Sequence, residues 1–533
     1  MPDTQSPTTA PRPAHSAATS TAEHTPARAG KRAWLALAVL MLPVLLVSID
    51  NTVLSFAIPQ LSLALSPSAT QLLWIVDIYP LMLAGLLVTM GTLGDRVGRR
   101  RLLLLGAAGF GVVSVYAAFA ADASHLIAAR ALLGFFGAML MPSTLSLLRN
   151  LFIDDNQRRL AIAVWASGFS AGAALGPIVG GWLLEHFWWG SVFLLNVPVL
   201  VALLVAAPFL IPESRNPLAA RLDPLSVVLS ISTMLPFVFG IKTVSTHGAT
   251  PLALASLATG VVLGIVFVRR QIGRSDPLLD IRLFRSRVFS ASVTANFMAV
   301  FAFSGLVFFV SQYLQLVLGL SPMTAGWYLL PGAVASVVMG LAAVALAKMA
   351  PMWVLVPAGL LLAAGGYAVG TTITGSSSVG VIVALFVLVG SGAGLAETLT
   401  NDAILASVPP ERAGAASGIS ETAYELGASL GVAVLGSVLA VFYRTHLELP
   451  AGLDAATTDA ASQTLGGAVH VAESLPSGVA GPLVDAARDA FSQGVVATSG
   501  IGLALMVAAA LGVGLALRSG SRRATATVPA PER

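Results

Sequence analysis

The sequence contains no cysteine and very little charge. Of its 533 residues, 56% are hydrophobic and only 10% are charged, and the mean hydropathy is +0.85. The missing cysteines exclude disulfide scaffolds, thiolate metal sites and cysteine nucleophiles. A soluble domain carries about 25% charged residues, so this chain cannot cover itself with a water-compatible surface. The composition therefore predicts an integral membrane protein.

Two further absences narrow the function. The chain has neither an HExxH zinc pair nor a phosphate-binding P-loop, so it is not expected to be an enzyme, to hold a metal or to use ATP. The formal net charge of +4 does not predict a nucleic-acid partner, because the arginines fall in short loops between apolar runs, where membrane topology accounts for them. No cofactor is expected.

Long apolar runs predict an all-α fold with fourteen transmembrane helices, since a bilayer core about 30 Å thick needs about 20 helical residues. The predicted spans are 34–57, 72–90, 102–121, 125–148, 161–184, 191–211, 224–242, 250–268, 288–310, 323–347, 353–373, 379–400, 412–442 and 493–517. The pair 224–242 and 250–268, joined by a short polar link that begins at Lys242, could instead form a hairpin packed differently from the rest.

The distribution of basic residues orients these helices. With both termini in the cytoplasm, nearly all lysines and arginines fall on the cytoplasmic side, as the positive-inside rule requires. The exceptions, predicted to lie outside, are Lys242, Arg444 and Arg488. The outer loop at about 443–492 is either a poorly ordered connector or a structured external element that includes an amphipathic stretch at 483–491.

Ionisable residues inside predicted spans are few, and such residues are costly and usually functional. The set comprises Asp50, Asp77, Arg130, Glu421 and Glu425, together with Glu397 and Asp402 around the end of the twelfth span. At about 1.5 Å of rise per residue, Asp50 lies about 13 Å and Arg130 about 9 Å below the outer surface. These depths allow an ion pair, which serves either proton coupling or structure alone.

Glu421 and Glu425 are one helical turn apart and share a face. Two carboxylates this close in a low dielectric resist simultaneous ionisation, which suits an exchange of a proton for a cation. Alternatively, one of them caps a neighbouring helix or lines a wet cavity. Glu397 and Asp402 flank a predicted cytoplasmic helix end, where Asp402 is expected to be structural and the role of Glu397 stays open.

Residues 91–101, GTLGDRVGRRR, resemble the signature between the second and third helices of the major facilitator superfamily. The resemblance implies that this segment gates the cytoplasmic side, with Asp95 pairing to a basic group across the bundle. The gating residues it implies are Gly91, Asp95, Arg96, Gly98, Arg99 and Arg100, followed by Arg101.

Two more segments resemble motifs of the same superfamily in the expected order. Residues 126–137, LIAARALLGFFG, resemble the fourth-helix motif, whose arginine, here Arg130, the family associates with proton transfer. Residues 172–181, GAALGPIVGG, resemble the fifth-helix antiporter motif, which separates exporters from importers. Its residues here are Gly172, Gly176, Pro177, Gly180 and Gly181.

Residues 49–59 resemble the first-helix motif of the fourteen-helix drug:proton antiporters, with Ile49 and Ser55 where that family usually has Leu and Asn. Residues 74–79 and 421–427 are similar to the quaternary-ammonium and multidrug efflux branch. Ser420 stands where some members carry an acid, and residues 332–340 are neutral where some have an aspartate. These departures imply narrower handling of divalent cations.

The resemblance implies two six-helix bundles joined by an inserted helix pair. The expected division is a disordered cytoplasmic tail at 1–33, the first bundle at 34–211, the inserted pair with its linker at 212–270, the second bundle at 271–517 and a cytoplasmic tail at 518–533.

The implied activity is proton-driven export of lipophilic cationic drugs from a bacterial plasma membrane by a monomer. Its partners are small cations, protons and the bilayer. Asp50, Asp77, Arg130, Glu421 and Glu425 are the implied coupling and cation-binding residues. Aromatic candidates for lining the substrate path are Phe56, Trp165, Tyr313 and Tyr424. The alternatives are export of a neutral or anionic antibiotic, metabolite or lipid, and a membrane sensor that does not transport.

Overall fold

The computed structural model describes residues 29–215, 223–274, 277–375, 377–408, 413–451 and 453–526. The helices in this part of the chain are α1 Lys31–Leu65, α2 Ala69–Val97, α3 Arg99–Ala118, α4 Ala123–Leu151, α5 Asp155–His186, α6 Ser191–Leu194, α7 Asn196–Leu210, α8 Pro224–His247, α9 Pro251–Gly273, α10 Arg287–Gln312, α11 Pro322–Leu346, α12 Met352–Gly370, α13 Val379–Ala406, α14 Ala413–His446, α15 Ala455–Gln463, α16 Leu465–Ala472 and α17 Ser477–Ala526. A 3₁₀ turn, Ile281–Arg285, precedes α10, and a π turn, Tyr313–Val317, extends it.

Helix starts are set by side chains that satisfy the free backbone N–H groups of the first turn. Ser68 and Gln71 form a reciprocal capping box at α2, and the Asp122 carboxylate accepts a hydrogen bond from the backbone N–H of His125 at α4. Thr250 and Ser321 cap α9 and α11 in the same way. These polar residues interrupt the apolar runs where the chain leaves the membrane.

Thirteen spans in the described part of the chain are long and apolar enough to cross a bilayer. In that count α6 and α7 act as one span, and the short helices α15 and α16 are left out. Helix α5, with 32 residues, packs alongside α1 and α11 and supplies the remaining predicted helix. The all-helical membrane fold that the sequence predicts is therefore confirmed.

The helices pack as two bundles with a pair beside them. Helices α1 to α7 pack on one another, as do α10 to α14 with α17. The inserted helices α8 and α9 lie against each other, and α8 also packs on α2 of the first bundle and α14 of the second. Most of their surface faces outward, since only 22% of the apolar 18-residue segment of α8 and 11% of that of α9 is buried inside the protein.

The inserted pair is tied together at the end where α8 begins. The Asp223 carboxylate caps α8 and forms ion pairs of 2.9 Å with Arg270 and 3.3 Å with Arg274. Burial raises the pKa of Asp223, but hydrogen bonds from Arg270 and Ser226 outweigh burial and lower it to about 2. Asp223 is therefore ionised at neutral pH and holds both helices.

The two bundles touch at the end of the molecule where α1 ends, which is the predicted outer side. There Ser311 Oγ donates to the backbone oxygen of Ser55 at 2.7 Å, and Gln315 Nε2 donates to that of Phe56 at 3.2 Å. Met323 of α11 also lies so close to α5 that a Cβ on Gly181 would come within 2.6 Å of its Cα. The bundles are thus held together at this end.

Two predicted boundaries differ from the structure. Helix α8 continues to His247, so Lys242 lies inside a helix and is fully buried instead of standing in an outer link. The region 443–492 holds α15, α16 and the first turns of α17, so it is a structured element. Leu483, Ala487 and Phe491 recur at helical spacing and are buried, which explains why α17 begins well before its apolar part.

Parts of the predicted tails and linker lie outside the described residues, namely 1–28, 216–222 and 527–533. Within the described part, α1 already begins at Lys31 and α17 extends to Ala526. The expected domain limits at residues 33 and 518 thus fall inside helices.

Candidate functional site

Asp50 and Arg130 form the ion pair that the depth estimate predicts. Arg130 Nη1 lies 2.6 Å from Asp50 Oδ2, and both residues are buried. Arg130 Nε donates to the backbone oxygen of Ile75 at 3.2 Å, and Asn196 Nδ2 donates to Asp50 Oδ1 at 3.3 Å. The guanidinium also stacks over the Tyr79 ring, 4.4 Å from its centroid. Both charges are therefore compensated by neighbouring protein groups.

The antiporter motif determines how closely α5 approaches the helix that carries Asp50. A Cβ on Gly172 would come within 2.6 Å of Ser48 Cβ, and one on Gly176 would overlap Thr52 Oγ1. Ser48 and Thr52 lie two residues on either side of Asp50, so these glycines let α5 pack directly behind the carboxylate. Small residues allow this kind of close helix packing in membranes.

The other face of the same motif meets the second bundle. Gly326 of α11 lies against the backbone oxygen of Pro177, and Gly181 lies against Met323. Gly180 packs on Val53 of α1. The motif thus joins α5 to α1 on one side and to α11 on the other.

In the signature segment, Asp95 pairs with Arg99 at 2.7 Å, one helical turn away. The expected pairing of Asp95 across the bundle is therefore not what this state contains. The sequence reading missed Glu213, whose carboxylate accepts hydrogen bonds from the backbone N–H of Arg100 at 3.0 Å and of Arg101 at 3.2 Å. Glu213 thereby caps α3, where a negative charge is favoured by the helix dipole.

Two glycines of this segment permit close contacts, and one of its arginines is exposed. Gly98 has a φ of +124°, a conformation that side chains disfavour, and a Cβ there would lie 2.8 Å from the Glu213 carboxyl carbon. Gly91 packs against Pro142 of α4. Arg96 is exposed. The gating role of this segment stays a prediction.

The second bundle carries acids without a basic counterpart. Glu397 of α13 and Glu421 of α14 are half-buried, and Glu425 is 3% exposed. Glu425 Oε2 has no hydrogen-bond partner among the described residues. Within residues 29–526, gaps excepted, no lysine or arginine forms an ion pair with any of these three glutamates.

Two tyrosines lie near the buried charges of the two bundles. Tyr424 lies within electrostatic reach of Glu397, Glu421 and Glu425. Tyr79 lies within electrostatic reach of both Asp50 and Glu425, and its buried hydroxyl has no hydrogen-bond partner among the described residues. Tyr79 of the first bundle therefore lies near Glu425 of the second.

Three neutral polar side chains next to Glu421 are hydrogen-bonded in series. The middle one, Ser420, stands where some members of the efflux branch carry an acid. Asn296 Nδ2 donates to Ser420 Oγ at 3.3 Å, and Ser420 Oγ donates to Asn401 Oδ1 at 2.8 Å. Ser420 thus links α10, α14 and α13 through hydrogen bonds instead of adding a charge. Asp402, which is expected to be structural, is exposed.

The structure gives Asp77 a partner that the sequence reading placed elsewhere. Lys242 Nζ lies 2.9 Å from Asp77 Oδ2, and both side chains have no exposed surface. The same ammonium stacks over the Trp74 ring, 3.9 Å from its centroid. Asp77 is therefore neutralised by the inserted helix pair in this state.

The four aromatic candidates divide into two classes. Phe56 and Tyr313 are fully buried, and the Tyr313 hydroxyl donates to the backbone oxygen of Thr374 at 2.6 Å. Trp165 and Tyr424 are half-buried, and Trp165 packs edge-on against Phe169. In this state Trp165 and Tyr424 are the more accessible candidates.

The comparison with known families decides the classification. Residues 40–432 match the model of the Major Facilitator Superfamily. The chain belongs to the major facilitator superfamily. It is accordingly a multi-span membrane transporter and not an enzyme.

Curated relatives match nearly the full length of the chain. It is 54% identical over 491 residues to the multidrug efflux pump LfrA of Mycolicibacterium smegmatis, covering 92% of this chain and 97% of that one. It is 39% identical over 496 residues to the methyl viologen resistance protein SmvA of Salmonella typhimurium, covering 92% and 100%. The resemblance to the efflux branch is confirmed, as is the bacterial membrane location.

A solved structure shares the fold. The inward-facing, unoccupied structure of a bacterial homolog of the human lysosomal transporter Spinster matches with a TM-score of 0.66 at 19% identity, covering 94% of this chain and 99% of that one. At this identity the likeness concerns the fold alone.

Proposed function

We propose that this transporter exports lipophilic cationic drugs, such as quaternary ammonium compounds and dyes, in exchange for protons. The observation that carries the proposal is the group of Glu397, Glu421 and Glu425, which lies inside the second bundle with no basic partner among the described residues. The proton gradient supplies the energy, and no cofactor is involved.

The physical argument concerns the cost of buried charge. An ionised carboxylate in a low dielectric is unfavourable unless it is protonated or paired with a cation. A proton and an organic cation can therefore each neutralise these glutamates, but they compete for the same charge. Competition of this kind couples entry of one to exit of the other.

In the proposed cycle, protons from outside neutralise the glutamates and weaken the Asp50–Arg130 pair. A cation from the cytoplasm then reaches Glu421 and Glu425, and aromatic rings such as Trp165 contribute cation–π contacts. Binding releases the protons to the cytoplasm, and the two bundles rock about the central site. Asp95 and its arginines would control opening of the cytoplasmic side.

The names of the relatives support this class of cargo. The similar proteins are named as a multidrug efflux pump and a methyl viologen resistance protein. A second candidate, export of a neutral antibiotic, is favoured by 34% identity over 524 residues to the tetracenomycin C resistance and export protein of Streptomyces glaucescens. The same experiment separates the two.

The test uses everted membrane vesicles with an acidic lumen and a fluorescent pH probe. Ethidium, a bis-quaternary cation and a neutral antibiotic are added in turn. We expect the cations to release luminal protons, the release to vanish in Glu421→Gln, and the exposed control Glu448→Gln to behave like the wild type. A response to the neutral compound alone would contradict cation export and support the second candidate.

A further inference from the structure

Lys242 occupies a position that is unusual for a lysine in a membrane protein. It lies in α8, which packs on α2 and α14, and its ammonium contacts Asp77 at 2.9 Å and the Trp74 ring at 3.9 Å. Neither Lys242 nor Asp77 has any exposed surface. A lysine near a helix end would ordinarily extend toward the aqueous interface, so a specific attraction holds this one inside.

The groups that hold the ammonium have the composition of an organic-cation receptor. A carboxylate supplies the opposite charge, and the face of an indole is the strongest of the aromatic rings for binding cations. Trp74 and Asp77 are three residues apart on α2 and therefore point to the same side of that helix. The carboxylate and the indole are thus both supplied by α2, whereas the ammonium of Lys242 comes from α8.

The surroundings of this pair are apolar. Leu81 of α2, Val238 of α8 and Ala433 of α14 form a buried cluster, with Leu426 and Leu430 packed against it. The site therefore lies where the first bundle, the second bundle and the inserted pair meet. An apolar wall of this kind suits a lipophilic cation as well as it suits the stem of a lysine.

We propose that Trp74 and Asp77 form a cation-binding subsite which Lys242 occupies in this state, and that a lipophilic cargo cation competes with Lys242 for it. The proposal rests on the function proposed above and adds to it a second binding position and a built-in competitor. Lys242 thereby keeps Asp77 neutralised whenever cargo is absent.

Exchange requires a place for the displaced ammonium. A cavity of about 600 Å³ is lined in part by Phe239 and Thr243 of α8, which precede and follow Lys242 in the sequence, and by the hydroxyl-bearing Ser68 and Thr70. Within this proposal, the displaced ammonium moves from Asp77 into this cavity, which begins at the residue after Lys242.

The experiment measures binding of radiolabelled tetraphenylphosphonium to purified protein by equilibrium dialysis, without any gradient. Lys242→Met removes the competitor and is expected to tighten binding about tenfold, within the range of one desolvated cation–π and charge contact. Lys242→Arg keeps a cation and is the matched control with wild-type affinity. Adding Asp77→Asn to Lys242→Met should abolish the gain.

A second design avoids dependence on the folding of one variant. The natural chain has no cysteine, so Lys242→Cys carries a single thiol. Aminoethyl methanethiosulfonate restores an ammonium at this position, whereas methyl methanethiosulfonate leaves it neutral. We expect the neutral adduct to bind tetraphenylphosphonium more tightly than the charged adduct of the same protein.

Equal affinities of wild type and Lys242→Met, or of the two adducts, would overturn the proposal and leave the pair as an anchor for α8. Wild-type proton exchange with ethidium is measured in parallel. If that exchange is intact while the affinities are equal, the subsite alone is wrong. If it is absent, the proposed cation export is wrong.

Discussion

The two bundles balance their buried charge in different ways. In the first, Asp50 is paired with Arg130 at 2.6 Å and also accepts a hydrogen bond from Asn196. In the second, Glu425 is 3% exposed and its Oε2 has no partner among the described residues. Asp50 thus has its counter-charge within its own bundle, whereas the Oε2 atom of Glu425 has no partner among the described residues.

The Asp77–Lys242 pair is intermediate between these cases. Its counter-charge is part of the chain, but it comes from the inserted helices and not from the bundle that holds the acid. The comparison teaches that the role of an acid inside the membrane depends on which group neutralises it and which helix supplies that group.

The largest effect on stability is expected from breaking the compensated pair. Arg130→Met leaves Asp50 buried without its cation, which costs about 3–5 kcal/mol for a buried pair. The apparent midpoint of thermal denaturation in detergent should fall strongly. The double variant Asp50→Asn with Arg130→Met should recover most of the loss, and a wild-type midpoint for Arg130→Met alone would contradict the account.

The uncompensated acid should give the opposite pattern. Glu425→Gln replaces a buried carboxyl group that lacks a partner with a neutral amide, so its thermal midpoint is expected to equal or exceed that of the wild type. Ethidium-driven proton release should nevertheless fall more than about tenfold, because one positioned charge contact is lost. A loss of stability similar to that of Arg130→Met would remove the distinction between the bundles.

The packing behind Asp50 should be less sensitive than its charge. Gly176→Ala places a Cβ on Thr52 Oγ1, and overpacking of this kind costs about 1–3 kcal/mol. Gly365→Ala is the matched control, since no atom lies within 4 Å of its Cβ position. The control should denature at or slightly above the wild-type temperature, and equal midpoints for the two variants would show that α5 is free to move away.

The smallest effect is expected where charge is partly solvated. Glu213 caps α3 with a side chain that is 21% exposed. Glu213→Gln keeps one of the two acceptor oxygens, exchanges the other for a donor, and loses about 0.5–1 kcal/mol of helix-dipole attraction. The exposed neighbour Arg96→Gln serves as the control. A large fall in the thermal midpoint for Glu213→Gln would mean that this end of the first bundle is as tightly coupled as its centre.

Much of the first bundle could be predicted from the sequence. Asp50 and Arg130 lie in long apolar runs, so counting helical rise from each end gives their depths and hence their pairing. Likewise, glycines that recur every fourth residue in α5 indicate a close helix contact, although the identity of α1 as the partner is visible only in the fold. Local periodicity reports the face of a helix, and the opposing helix requires tertiary structure.

Lys242 shows why the rest could not be predicted. A lysine at the end of an apolar run is ordinarily read as the boundary of a helix, and its burial depends on Asp77, which is far away in sequence. The signal that was available is that Thr243 and Val244 continue the run beyond it. Similarly, residues 477–492 are too polar to be recognised as membrane-spanning, yet Leu483, Ala487 and Phe491 repeat at helical spacing.

The central claim, that cargo and proton compete for the glutamates of the second bundle, is tested most directly on purified protein in weakly buffered detergent. Tetraphenylphosphonium is added while a pH indicator and equilibrium binding are followed together. The account predicts proton release on binding, lost in Glu421→Gln and Glu425→Gln and retained in Glu448→Gln. Binding of the cation with no release of protons at any pH would contradict it.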